Sequence, residues 1–308
     1  MKILIVGYGV QGKKRRKNLK KKNYYKIYDP LMKSSETKTK YDLDLKKFDA
    51  AYICTPDSKK FEIIKYLLEK KKHVLVEKPL SLKSLDQFNV LKKISKKNKV
   101  NLYTAYNHRF EQNLIKAKKI LDKKKIGKIY NIYMFYGNGT ARLVKKSNWK
   151  DKGSGVIDDL GSHLLDIVNF LVGMRKIKII SSTKNKFENK SWDHATISCK
   201  DNKNSISIIM QMSYLMWKNT FKLDVIGQKG SLHLDGLCKW GPSKIVLRKR
   251  KFPSGKPSEK KSKIISKDIT WKKENNFFIN SIKNKTNITN VDKDILINKI
   301  LNEIKKKK

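Results

Sequence analysis

Residues 153 to 166, GSGVIDDLGSHLLD, set Asp158, Asp159, His163 and Asp166 into an otherwise apolar segment. Histidine is the side chain whose ordinary pKa lets it take and return a proton near neutrality. On a helix, Asp159 and His163 stand four residues apart and share a face, so the carboxylate can orient the ring or polarise the hydroxyl on which the ring acts. The competing reading is an amphipathic helix with a solvated polar face, on which Asp158 and Asp166 are neighbours or caps. Composition bears on the choice. The chain carries 73 Lys and Arg against 27 Asp and Glu, a formal net charge of +46, and only seven of its basic residues are arginine. Lysine fills nearly every position that tolerates it, so a stretch without Lys or Arg marks where burial or chemistry excludes a long cation. The longest such stretch runs from Gly153 to Met174.

A second group of residues lies at the N-terminus. GYGVQG (Gly7, Tyr8, Gly9, Val10, Gln11, Gly12) follows the strand-like run KILIV and opens a helix-like segment. Gly7 permits a tight turn, Gly9 lets the backbone approach a pyrophosphate, and Gly12 lets helix pack on strand, while the helix N-terminus offers N–H groups to the anion. Asp29 ends the second strand-like run, 17 residues past Gly12. A carboxylate there accepts ribose hydroxyls and repels a 2′-phosphate, which favours NAD; Lys33 nearby leaves NADP open. Thr55 and Pro56, after the third run, either line the cofactor side of a crevice or form an ordinary strand-to-helix turn. Glu77, Lys78 and Pro79 end the fourth run, where Glu77 faces the cofactor and a partly desolvated Lys78 ammonium can hold a substrate hydroxyl and stabilise a developing alkoxide.

The elements that must position these groups are legible. KILIV, YYKIY, AAYICT, HVLVE and NLYTAY alternate with amphipathic stretches over the first 110 residues, which predicts βαβ crossovers and a parallel sheet. Beyond residue 111, a helix, a strand and the 155–172 helix precede consecutive strand-like runs to about residue 250, which predicts an α+β domain with an antiparallel sheet. Residues 248–263 read as a polar loop, and 273–304 as a C-terminal helical pattern that can pack back on the first domain. The expected fold class is therefore α/β, a Rossmann dinucleotide-binding domain over 1–110 and an α+β domain over 111–308.

GYGVQG, the TPD turn, HVLVEKPL, YNHRF (106–110) and GSGVIDDLGSHLLD, in that order, resemble the glucose-fructose oxidoreductase and inositol dehydrogenase (Gfo/Idh/MocA) family. The match is specific over residues 1 to about 175. The resemblance implies a catalytic set of Lys78, Asp159 and His163, NAD as cofactor, and hydride transfer at a hydroxyl of a sugar, sugar nucleotide or cyclitol. It also implies that 111–308 is a substrate-binding and oligomerisation domain whose open, mainly antiparallel sheet is used in a homodimer or homotetramer. The family often has histidine where this chain has Lys60, and three glycines where it has Gly153, Ser154 and Gly155. Removing hydride from a secondary alcohol requires a base for the hydroxyl proton. His163 suits that role, with Asp159 as orienter and Lys78 as the positioning cation, although the residues leave open which of Lys78 and His163 takes the proton. Asn107 and Arg109 reach substrate on this reading, Arg109 having an interdomain salt bridge as its alternative. Arg142 and Trp149, before the polar helix, are further candidates for sugar or phosphate contact. A non-catalytic dinucleotide- or sugar-binding sensor is the alternative function, against which the joint presence of Lys78, Asp159 and His163 argues.

Other classes are disfavoured. Charge this diffuse and this poor in arginine does not describe a nucleic-acid surface. No apolar run approaches the roughly 18 to 20 residues of a membrane span, and a cytoplasmic protein is expected. Cys54, Cys199 and Cys238 have no ligand spacing, read as buried thiols, and no metal is expected.

Overall fold

The computed structural model describes residues 1–32, 43–147 and 150–307. They form two compact units, Met1–Asn107 with Thr270–Asn298, and His108–Ile269 with Lys299–Lys308.

The first unit is a parallel sheet. Its elements begin with β1 (Ile3–Val6), α1 (Val10–Asn18), β2 (Tyr24–Tyr28), β3 (Ala50–Ile53), α2 (Asp57–Glu69), β4 (His73–Glu77), α3 (Leu85–Lys97) and β5 (Leu102–Ala105). Strand order is β2-β1-β3-β4-β5, with every neighbouring pair parallel. β1, β3 and β5 are buried at every residue, as expected of strands covered on both faces. Alternation then decides which face each side chain serves. Leu4, Val6, Ala51, Ile53, Val74 and Val76 pack with Ile64, Leu67 and Leu68 of α2 and Phe88 and Leu91 of α3. Ile3, Ala50, Tyr52, Leu75 and Tyr103 point to the opposite face. The order reverses at β1, which is flanked by β2 and β3, and the carboxyl ends of β1 and β3 there form the crevice in which open α/β sheets bind ligands.

The second unit contains α4 (Gln112–Asp122), β6 (Ile129–Gly137), α5 (Ala141–Lys145), a π turn over Ile157–Gly161 that continues into α6 (Ser162–Val172), and seven further strands. These are β7 (Ile177–Asn185), β8 (His194–Asp201), β9 (Ile206–Ser213), β10 (Thr220–Gly227), β11 (Gly230–Asp235), β12 (Ser243–Lys249) and β13 (Ser258–Ile264). They make one eight-stranded sheet, ordered β13-β12-β11-β10-β6-β9-β8-β7. All pairs are antiparallel except β6 with β9. Alternate residues such as Ile132, Met134, Ile208, Met210, Leu223 and Val225 are buried, and α4 and α6 carry the apolar residues Leu114, Ala117, Leu164 and Leu165.

Two expectations are corrected. Residues 258–264 are a strand, not a loop: β13 is exposed along most of its length and is held by its ladder to β12, its lysines keeping the sheet edge polar. The C-terminal helical pattern is two helices, α7 (Thr270–Lys283) and α8 (Val291–Lys306). In the first unit α7 supplies Phe278 and Ile279 to the face of Ile3 and Tyr52, and Val291 joins the opposite face.

Candidate functional site

In the first unit the glycine turn leaves β1 with Gly7 at φ +86°, where a Cβ would stand 2.9 Å from the Cys54 carbonyl. A Cβ on Gly12 would stand 2.1 Å from the Gly7 oxygen, so only glycine lets α1 sit this close to the turn. At Gly9 no atom of the described residues lies within 4 Å of that position. The first turn of α1 is therefore open to an approaching anion, and Gly9 provides no side-chain cap for its N–H groups. Asp29 ties the end of β2 to this turn: its Oδ2 accepts from the Tyr8 N–H at 2.7 Å and its Oδ1 from the Leu31 N–H at 3.0 Å. A carboxylate has about four lone-pair directions, so acceptor capacity remains for ribose hydroxyls. Two buried polar atoms next to these elements, Gln11 Oε1 and Thr55 Oγ1, have no hydrogen-bond partner among the described residues. Val10 is exposed and Pro56 precedes the first residue of α2. The open glycine turn, the two unsatisfied oxygens and the placed carboxylate fit a dinucleotide.

Glu77 ends β4, the neighbour of β3, and the half-buried Lys78 follows it. The Glu77 carboxylate accepts from Arg15 Nε at 2.5 Å, and Arg15 also pairs with Glu274 at 2.8 Å and stacks over Trp271 at 4.5 Å. Burial alone would lower the Arg15 pKa, but Glu77 and Glu274 hold it above its ordinary value. The Lys60 ammonium bonds the carbonyl oxygens of Glu77 and Pro79. The sequence marks Arg15 only by the scarcity of arginine, and Lys60 only as the lysine standing where the family often has histidine. Asn107 is buried and donates to Thr270 Oγ1 at 2.8 Å.

In the second unit the polar stripe of the 153–174 stretch is only partly solvated: Asp159 is exposed and Asp158 half-buried. His163 and Asp166 are buried, and Asp166 takes both Nε and Nη2 of Arg109. This ion pair lies within the second unit, because the unit begins at His108. Asp158 pairs with Lys305 at 3.2 Å. Asp159 accepts from the Tyr214 hydroxyl at 3.1 Å, and that phenol is pushed well above its ordinary pKa by burial and by Asp159. Asp159 lies in the π turn and His163 in the first turn of α6. Single π turns of this kind recur at functional sites.

His163 has company that the sequence did not announce. Its ring meets the His108 ring edge-on, centroids 4.0 Å apart, and Tyr136 lies 6.0 Å away. The Tyr136 hydroxyl is 3.3 Å from His108 Nε2 and accepts from Lys239 Nζ at 2.7 Å. Burial, with the charges of Asp159 and Asp268, raises the Tyr136 pKa, so this phenol stays protonated. His108 is one of five histidines and sits between Asn107 and Arg109, which was the signal available for it. A cavity of about 540 Å³ is lined by Lys239, Lys267, Asp268 and Ser266 among others. Arg142 is exposed on α5, whereas Trp149 and Lys33 lie outside the described residues. Burial pushes Cys199 up to about 12 and Cys238 up to about 11, and Cys54 is half-buried and also raised. Among the described residues no group of three His, Cys, Asp or Glu could hold a metal, and no helix is long and apolar enough to cross a membrane.

The two halves of the chain match two models of one family. Residues 1–106 match the oxidoreductase family, NAD-binding Rossmann fold, and residues 114–233 match the GFO/IDH/MocA C-terminal domain. The chain belongs to the Gfo/Idh/MocA family. Its relatives include glucose-6-phosphate 3-dehydrogenase of Bacillus subtilis, 28% identical over 53% of this chain and 50% of that protein. Myo-inositol 2-dehydrogenase of Thermotoga maritima is 22% identical over 61% of this chain and 57% of that protein. The chain thus spans about half the length of these curated relatives. Among solved structures, levoglucosan dehydrogenase in complex with NADH and levoglucosan superposes with a TM-score of 0.81 at 15% identity, covering 99% of this chain and 95% of that one. This Gfo/Idh/MocA chain therefore carries the family's parallel NAD-binding sheet and its second, mostly antiparallel sheet.

Proposed function

We propose that the protein transfers hydride between NAD and a hydroxyl or keto group of a sugar, sugar nucleotide or cyclitol, with Lys78, Asp159 and His163 as the catalytic residues. The observation that carries the cofactor half is the open glycine turn with its unsatisfied Gln11 and Thr55 oxygens. Gly7, Tyr8, Gly9, Val10, Gln11 and Gly12 face the diphosphate, Asp29 the ribose, and Thr55, Pro56 and Glu77 the remainder. When bound, NAD supplies the acceptor for the hydride that leaves the substrate carbon. The chain's own residues handle the oxygen. Neutral His163 takes the hydroxyl proton as the C–H bond breaks, and Lys78 donates a hydrogen bond to the same oxygen and stabilises its developing charge. Asp159, held by Tyr214, orients the acid–base pair. Arg109 and Asn107 serve the site by fixing its neighbours through Asp166 and Thr270, and Arg142 and Trp149 contact the substrate. NADP is the alternative cofactor, and surface-polysaccharide sugar metabolism is the setting this reading favours. With it go a homodimer or homotetramer and a cytoplasmic location, which sedimentation and fractionation would check.

The test is NAD reduction against a panel of sugars, sugar phosphates, cyclitols and UDP-sugars, with Lys78→Ala and His163→Ala as controls. Loss of one positioned acid–base group is worth about 10²- to 10⁴-fold in kcat. Variants that keep wild-type turnover would overturn the assignment, and dinucleotide binding with no turnover on any substrate would favour a sensor.

A further inference from the structure

We infer that Lys60 is a positioning residue for Lys78: its buried ammonium, bonded to the carbonyl oxygens of Glu77 and Pro79, fixes the backbone on both sides of Lys78. The inference rests on the functional reading above. An ammonium has three N–H donors, and each has a partner here: Glu77 O at 2.7 Å, Pro79 O at 2.6 Å and Asp57 Oδ1 at 2.6 Å. Lys60 is 2% exposed, and among the described residues it is the one lysine in the buried class. In a chain that puts lysine on wet positions, withdrawing this one from water works against its desolvation cost. The local backbone explains the need. β4 pairs with β5 only as far as Glu77, opposite Ala105. Pro79 has no N–H with which to tie the turn that follows. The donors come instead from α2.

The consequence falls on Lys78. Lysine has a flexible four-carbon stem, so the direction of its ammonium depends on where its Cα is held. Lys60 pins the carbonyls at residues 77 and 79 and leaves Lys78 between two fixed points. With its three donors occupied, Lys60 does not itself carry a proton to or from substrate. A shift of about 1 Å at a reacting group costs on the order of 10²-fold in rate.

The experiment compares Lys60→Met, which keeps length and loses donors, with Lys60→Arg, which keeps charge and donors. Three quantities are read: kcat and KM on the best substrate, the NAD dissociation constant, and the acetylation rate of Lys78 by trace acetic anhydride, followed by mass spectrometry without substrate. Lys60→Met is expected to lower kcat by about 10- to 100-fold, to change the acetylation rate of Lys78, and to leave NAD affinity near the parent's. Lys60→Arg should recover most of kcat. If Lys60→Met shows no cooperative unfolding, Lys60→Gln, whose shorter amide cannot hold all three bonds, is judged by the same criteria. Parent-like kcat and parent-like Lys78 acetylation would overturn the inference. Lys78→Ala separates the two failures: if it is inactive while Lys60→Met is unaffected, only the positioning role falls, and if it is fully active the functional reading falls first.

Discussion

Replacing Arg15 by methionine removes the cation that two buried carboxylates share. Arg15 Nε lies 2.5 Å from Glu77 and Nη2 lies 2.8 Å from Glu274, with side-chain exposures of 9% and 0% for the two acids. Methionine fills much of the volume against Trp271 and Tyr52, so the packing loss is small beside the electrostatic one. Breaking a buried pair by deleting one partner costs about 3 to 5 kcal/mol, because the other charge remains desolvated. With a urea m-value of about 2 kcal/mol/M, the unfolding midpoint should fall by roughly 2 M. The pH dependence is the sharper readout. Without Arg15, both glutamates are like charges in a dry site, which favours a protonated form over an ionised one, so the variant is penalised least in acid and most where both would carry charge. The deficit of Arg15→Met should therefore be small near pH 4.5 and full by pH 8, and adding Glu274→Gln should recover part of it. Urea unfolding followed by Trp fluorescence at the two pH values reads this directly. A deficit below about 1 kcal/mol, or one equal at both pH values, would refute the buried-charge account.

Other outcomes follow from single contacts. Gly12→Ala places a Cβ 2.1 Å from the Gly7 oxygen, so NAD titration should show at least tenfold weaker binding in a folded protein; parent-like affinity would sink the role of the turn. Asp29→Ser should shift the NAD to NADP ratio of kcat/KM towards NADP and should also loosen the Tyr8 N–H, and an unchanged ratio would count against the ribose contact. His163→Asn should lower kcat by about 10²- to 10⁴-fold while NAD titration stays near the parent's, and parent-like turnover would count against its role as the base. Burial opposes ionisation of Asp151, but hydrogen bonds from the Ser191 backbone and hydroxyl outweigh it and hold the carboxyl below its usual range. Its stabilising contribution should thus be present above about pH 4 and lost as pH falls below it; stability of Asp151→Asn that tracks the parent from pH 6 to pH 3 would refute this.

The legible parts of the molecule are those whose information is local. β1 to β5 are short apolar runs bounded by turn residues, and the glycine turn carries its geometry in its residue types. Tertiary partners are a different matter. Nothing in SEKKSKI marks β13, because an edge strand exposed on both faces has no apolar alternation and is specified by its neighbour's backbone. Arg15 and Lys60 sit in KKRRK and SKKFE beside exposed lysines, and their burial depends on the phase of α1 and α2 against the sheet. The polar stripe around His163 was visible as a set, yet its division among Arg109, Lys305 and Tyr214 required partners 55 to 147 residues away.

The parallel pairing of β6 with β9 bears on how the second unit folds. β7, β8 and β9 form a meander of sequential hairpins, and β10 to β13 form another. Each can zip locally, but they do not pair with each other. β6 joins them, lying between β10 and β9 and pairing across sequence gaps such as Ile132 to Ile208 and Phe221 to Tyr136. The two meanders must therefore wait for a strand made long before either, and loop closure over that distance slows the step. During synthesis β6 leaves the ribosome with both edges unpaired, and it stays so until the residues of β9 and β10 have emerged. The sheet's central strand is satisfied only by one partner from each ribbon, and its closure is the event that makes one domain out of two ribbons.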